Sequence, residues 1–167
     1  RVLAICAGSG ELGLARLAEV GSVVLTDPYE GMVEVAQVKI EAEGIVDASA
    51  VLCDFPTAEP PVGAPFDLAV SLLALHHVED TASTLRSIRA TLAPGGGIAL
   101  IDLDEEDGSF HDPDQPGIHH HGFDGEALMA TATEAGFAEV QVRIVHELER
   151  DGRGYPLLLL TGWNPPL

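Results

Sequence analysis

Residues 2–13 read Val2-Leu3-Ala4-Ile5-Cys6-Ala7-Gly8-Ser9-Gly10-Glu11-Leu12-Gly13. A short apolar run ends in Gly8, Gly10 and Gly13, and a helix-like stretch follows at once. A second apolar run, residues 22–26, stops at Asp27. Together these features describe a site for a nucleotide-type cofactor. Glycine lets the backbone approach a ligand where a side chain would collide. An acid about 20 residues beyond the first glycine can hold the two hydroxyls of a ribose, and the step from Gly8 to Asp27 fits. Taken alone, the pattern leaves the kind of nucleotide open.

The rest of the chain alternates strand and helix. Strands are expected over 2–6, 22–26, 50–53, 66–72 and 98–103. Helices are expected over 11–20, 29–43 and 81–92. The first carries Leu12, Leu14, Ala15, Leu17 and Ala18 inward, the second is stopped by Gly44, and the third is capped by Asp80 or Thr81. Pro94-Gly95-Gly96-Gly97 ends the third helix sharply. Near-continuous apolar strands separated by helices predict a parallel sheet covered on both faces. Residues 104–122 are acidic, rich in Gly, Pro and His, and without period, so they form a long loop. A helix over 123–135, capped by Asp124 and ended by Gly136, leads to strands over 137–145 and 156–163. No helix fits between these last two, so they form an antiparallel hairpin.

At 167 residues the chain is expected to be one domain with a sizeable core. With 46% hydrophobic and 21% charged residues it is globular rather than disordered. No apolar run approaches the ~20 residues that span a bilayer. The formal charge of −19 repels phosphate backbones and anionic membranes, and favours a small neutral or cationic substrate. Cys6 and Cys53 sit near the ends of the first and third strands, about 10 Å apart across the intervening strand. That is too far for a disulfide, so free thiols and a reducing, cytoplasmic setting are expected. The chain opens on Arg1 with no leader visible, and a segment is expected to precede it.

Five stretches in order resemble the class I S-adenosylmethionine-dependent methyltransferases, over essentially the whole length. They are residues 2–10, Thr26-Asp27, Cys53-Asp54-Phe55, residues 66–78 from Phe66-Asp67 to His76-His77-Val78, and residues 85–97 with Leu92-Ala93-Pro94-Gly95-Gly96. The resemblance implies an α/β, Rossmann-like, doubly wound seven-stranded sheet of order 3-2-1-4-5-7-6, with strand 7 antiparallel. It also implies a helix before the first strand, which is expected to be missing from this domain. The cofactor would be S-adenosylmethionine, leaving as S-adenosylhomocysteine. Ala7, Gly8, Ser9 and Gly10 would turn beneath it, and Asp27 and Pro28 would meet its ribose. Asp54 and Phe55 would meet the adenine, and Ser71 and Leu72 the methionine end. Tyr29 and Met32 could flank the adenine, although their helical spacing reads first as core. The activity implied is methyl transfer to a small-molecule acceptor by in-line displacement. The chain departs from the family at Ala4 and Cys6, where an acid and a glycine usually stand.

Candidate catalytic groups lie beside the expected acceptor pocket. They are His111, His119 and His121 in the long loop and Asp102 near the end of the fifth strand. A histidine there could act as a general base, since its ordinary pKa lies near neutrality. His76 and His77 read as structural, the loop histidines read first as solvated, and no metal is assigned. Two other functions remain open. One is an NAD(P)-dependent oxidoreductase, because residues 8–13 are a literal G-x-G-x-x-G. The other is a catalytically degenerate cofactor- or partner-binding protein, because of Ala4 and Cys6.

Overall fold

A computed structural model describes the chain except Arg16, Ala58 and Leu167, and except the side chains of Leu12 and Leu17. Seven strands form one sheet: β1 Val2–Ala4, β2 Val23–Asp27, β3 Ala48–Leu52, β4 Phe66–Leu72, β5 Leu92–Leu103, β6 Ala138–Arg150 and β7 Arg153–Trp163. Their order is β3-β2-β1-β4-β5-β7-β6. All neighbours run parallel except β7, which is antiparallel to both β5 and β6. This is the architecture expected from the sequence.

The near-continuous apolar runs follow from burial on both faces. Leu3 and Ile5 join Phe66, Leu85, Ile88 and Leu100 on one side. Val2 and Ala4 join Val23, Leu25, Val33 and Ile40 on the other. Alternate residues of a strand point to opposite faces, so β1, in the middle, must be apolar at every position. Helices α1 Glu11–Ala15 and α2 Glu30–Ala42 pack against the β1–β3 half. Helices α3 Thr81–Thr91 and α4 Gly125–Glu134 pack against each other, and α4 also against β6 and β7. Asp80 caps α3 by accepting from Ser83 N–H at 2.8 Å, and Asp124 caps α4 by accepting from Ala127 N–H at 2.8 Å.

Several boundaries differ from expectation for visible reasons. The first strand stops at Ala4, two residues later Cys6 has φ +48°, and no extended strand can continue through that angle. The first helix is short, with a 3₁₀ turn Leu17–Glu19 after it. Its inner face is Gly10, Gly13 and half-buried Leu14, while Ala15 and Ala18 are exposed; the expected inward placing of Leu12 and Leu17 lies outside the described residues. A Cβ on Gly13 would lie 2.5 Å from Leu25 Cδ2, so the helix sits closer to β2 than an alanine face allows.

The Pro94-Gly95-Gly96-Gly97 segment is an irregularity inside β5 rather than a stop. Leu92 already pairs with Phe66, and regular pairing resumes at Gly97 opposite Leu68. Asn164 clamps the bulge: its N–H donates to the Gly96 carbonyl and its carbonyl accepts from Gly95 N–H, both at 2.7 Å. The β6–β7 hairpin is longer than expected. Asp151 and Gly152 form its two-residue turn with φ of +52° and +76°, as tight hairpins demand. The added length is polar on β6, which is why alternation did not reveal it.

That added length grips the long loop, which is not simply solvated. Tyr155 packs with Leu103, Phe110 and Leu157 in a separate small core. Its hydroxyl lies 2.9 Å from Ser109 Oγ, and Arg153 Nη1 donates to Asp107 Oδ2 at 2.9 Å. Arg150 Nη1 donates to the Phe110 carbonyl.

Candidate functional site at the carboxyl end of the sheet

The site forms where β1, β2 and β4 end side by side, a place where open α/β sheets bind ligands. Ala7 N–H donates to the Thr26 carbonyl at 2.8 Å, and Gly10 N–H to the Ala7 carbonyl at 2.8 Å, closing the turn after β1. Gly8 and Gly10 have φ of +54° and +79°. Their roles differ. A Cβ on Gly8 would meet nothing within 4 Å, so Gly8 faces open space, whereas a Cβ on Gly10 would lie 2.5 Å from Leu25 Cδ1. Gly8 therefore leaves room for a ligand, and Gly10 leaves room for the core.

Asp27 ties this turn to the next helix. Gly8 N–H donates to its Oδ2 at 2.9 Å, and Tyr29 N–H to its Oδ1 at 3.0 Å. The residue is only 6% exposed. A carboxylate has about four acceptor positions, so two remain for further donors.

Two cavities meet at Cys6. The smaller, about 260 Å³, is lined by Ala7, Gly8 and Ser9 from the turn and by Ser71 and Leu72 from β4. The larger, about 880 Å³, has Asp27, Pro28, Tyr29, Asp54 and Phe55 on one side. Its other side is Leu73, Ala74, His77, Val78, Glu79 and Asp80, with Pro116 and Gly117 from the long loop. The expected cofactor residues are thus brought together, except that Gly10 lies behind the turn and lines neither cavity. Tyr29 and Met32 are exposed rather than core, and only Tyr29 reaches the larger cavity. Among the described residues no Lys or Arg lines it, against four acids.

The two cysteines are free. Burial, then the charges of Asp27 and Asp54, push the Cys6 thiol up to about 12. Burial and Asp54 also raise Cys53. Both stay protonated at neutral pH and are poor nucleophiles. Ala4 is buried in β1, and Cys6 adopts the left-handed backbone that a glycine would take without strain.

The expected catalytic groups are placed differently. Asp102 is 1% exposed and fully engaged. Its Oδ2 accepts from Leu75 N–H at 2.7 Å and His76 N–H at 3.2 Å. Its Oδ1 accepts from Leu103 N–H at 2.8 Å and lies 2.7 Å from His76 Nδ1. His76, equally buried, presents Nε2 to His111 Nε2 at 3.0 Å, and its carbonyl accepts from His119 and His120 N–H. Asp102 and His76 are thus a brace that holds the long loop. Burial, then the neighbouring His76, holds His111 below the usual histidine range. His121 Nδ1 is 3.6 Å from Glu106 Oε1, and His119 is exposed. None of Asp102, His111, His119 or His121 lines either cavity. Among the described residues, no group of three or more His, Cys, Asp or Glu is placed to hold a metal ion.

His77 is the histidine that does line the cavity, with its Nδ1 2.8 Å from the Gly117 carbonyl. The only signal available in the sequence was the doublet itself. On a single turn, successive side chains diverge, so one of His76 and His77 had to turn away from the core.

Residues 2–96 match the family described as methyltransferase domain. The ubiquinone/menaquinone biosynthesis C-methyltransferase UbiE of Shewanella sp. (strain ANA-3) is 29% identical over 106 residues, which cover 62% of this chain and 42% of that protein. The chain thus spans less than half the length of this relative. A phosphoethanolamine N-methyltransferase 2 of Haemonchus contortus, solved with S-adenosyl-L-methionine, superposes with TM-score 0.81 at 16% identity. The match covers 99% of this chain and 49% of that one. A SAM-dependent methyltransferase of Methanosarcina mazei superposes with TM-score 0.79 at 19% identity, covering 98% and 92% of the two chains. The fold and the glycine turn with its acid define a nucleotide-binding, Rossmann-like α/β protein. The chain belongs to the methyltransferase domain family, among the class I S-adenosylmethionine-dependent methyltransferases. That membership does not favour the oxidoreductase reading, and Gly13, the third glycine of its motif, serves helix packing.

Proposed function

We propose that the protein transfers the methyl group of S-adenosylmethionine to a small acceptor by in-line displacement. The observation that carries this reading is Asp27, which joins the open face of the Gly8 turn to the head of α2 at the rim of an about 880 Å³ cavity. The residues fit the cofactor. Gly8 offers space that a Cβ would enter, and Asp27 keeps acceptor capacity for two hydroxyls. Ala7, Gly8, Ser9, Ser71 and Leu72 would hold the methionine end, and Asp27, Pro28, Asp54 and Phe55 the nucleoside. When bound, the cofactor supplies an electrophilic methyl on a positively charged sulfur.

The chain's own contribution is positional. Holding two reactants in line can supply up to about 7–11 kcal/mol. The rigid parts suit this: the turn is tied to β2, and the opposite wall is tied to Asp102 through His76. The four acids and the net charge of −19 favour a neutral or cationic acceptor and oppose nucleic acid. The free, protonated thiols support a reducing, cytoplasmic setting. Among the described residues no helix is long and apolar enough to cross a membrane. Calorimetry with S-adenosylhomocysteine and with NAD tests the reading. Binding of the first alone is expected, and binding of NAD alone refutes it.

A further inference from the structure

We propose that His77 is the general base of the transfer, and hence that the acceptor is an amine or hydroxyl that sheds a proton as it is methylated. The inference rests on the function proposed above. A carbonyl only accepts hydrogen bonds, so the 2.8 Å contact to Gly117 puts the proton of His77 on Nδ1. In the neutral ring Nε2 then carries the lone pair. Among the described residues Nε2 has no hydrogen-bond partner, and the ring lines the larger cavity. This is the arrangement of an oriented base, with one nitrogen fixed by a backbone acceptor and the other presented to substrate.

The other candidates are excluded by their contacts. His76 is 1% exposed and spends both ring nitrogens, one on Asp102 and one on His111. His120 Nε2 is 2.9 Å from the Val78 carbonyl, and its ring lines a different hollow, between α3 and α4. The groups facing His77 are the rings of His76 at 4.2 Å and His111 at 5.8 Å between centroids, and in the cavity Asp27, Asp54, Glu79 and Asp80. These acids set the acceptor's charge: among the described residues an anionic group would meet four carboxylates and no Lys or Arg. In the step, the acceptor's lone pair forms the bond to the methyl carbon, and the carbon–sulfur bond breaks with its electrons left on sulfur. The acceptor's proton passes to His77 Nε2, and then to solvent.

The test has two arms. Long-range ¹H–¹⁵N spectra of histidine-labelled protein, saturated with S-adenosylhomocysteine, read the tautomer of His77, which is assigned by its absence in His77→Gln. Protonation on Nδ1 with a bare Nε2 is expected; the Nε2–H tautomer overturns the proposal whatever the kinetics show. The second arm compares phenol, which must lose a proton, with dimethyl sulfide, a neutral acceptor that has none to lose. The loss of rate in His77→Gln with phenol should exceed its loss with dimethyl sulfide by about 100-fold. Equal losses on both acceptors overturn the proposal. Where neither probe reacts, the spectra decide. Failure of the wild-type protein to bind S-adenosylhomocysteine would instead sink the parent reading, and calorimetry shows this before either arm begins.

Discussion

Replacing Asp27 by asparagine changes one atom in a carboxylate that two backbone amides already share. The donors are Gly8 N–H at 2.9 Å and Tyr29 N–H at 3.0 Å, around a residue 6% exposed. Asparagine can accept from one of them and must turn its own NH₂ toward the other. The opposed amide loses its partner, at about 1–3 kcal/mol, and the surviving bond falls from a charged to a neutral acceptor, at about 1 kcal/mol more. The sum is about 2–4 kcal/mol. For a chain of 167 residues this lowers Tm by roughly 5–15 °C, at about 2–4 °C per kcal/mol. If Asp27 also holds the ribose, binding loses about 2–3 kcal/mol as charge-assisted bonds weaken, or about 100-fold in Kd. Scanning calorimetry reads the first effect. Titration with S-adenosylhomocysteine well below Tm reads the second. A lowered Tm with Kd within threefold of wild type refutes the ribose contact. An unchanged Tm refutes the brace.

The glycine turn should split two effects that are usually confounded. Gly8→Ala adds a Cβ into open space at φ +54° and should cost about 1–2 kcal/mol, while weakening S-adenosylhomocysteine binding. Gly10→Ala puts a Cβ 2.5 Å from Leu25 Cδ1 at φ +79°, so chemical denaturation should show the larger loss of stability there. Cys6 binds its proton more tightly folded than unfolded, so the folded state holds more protons between about pH 9 and 12. Stability should therefore fall with rising pH above about 9, by at most about 1.4 kcal/mol per pH unit for one proton. Urea midpoints at pH 8, 9 and 10 should show this in wild type and less of it in Cys6→Ala. His111 is held below the usual histidine range, so its contribution is present above pH 6.5 and lost as the pH falls through its folded value. Protection of residues 109–118 against hydrogen exchange, taken relative to the intrinsic rate at each pH, should fall on acidification, and His111→Gln should blunt that change.

What was legible in the sequence was local. The β1 and β2 runs, the glycines and Asp27 follow from chain-local rules: double-sided burial, positive φ and strand-end chemistry. The caps at Asp80 and Asp124 stand where those rules put them. The same rules misjudged the first helix, because its inner face is glycine, which carries no hydrophobic signal. They shortened β6, because an edge strand half in water needs no apolar alternation, and with it the turn end of β7, where Arg153, Gly154 and Tyr155 pair with β6 beyond the reach of β5.

The sequence by itself therefore determined the order of the elements, the glycine turn and Asp27, since each rests on residues close together in the chain, while the strand order came with the family resemblance. Only the tertiary structure decided the opposite wall of the cavity. His76 meets Asp102 from 26 residues away, and His77 meets Gly117 from 40. Two adjacent, chemically identical side chains thus took opposite places, one a buried brace and the other a cavity wall. That division depends on which distant carboxylate or carbonyl lies within hydrogen-bond reach, a property of the packed sheet and loop that local pattern does not encode.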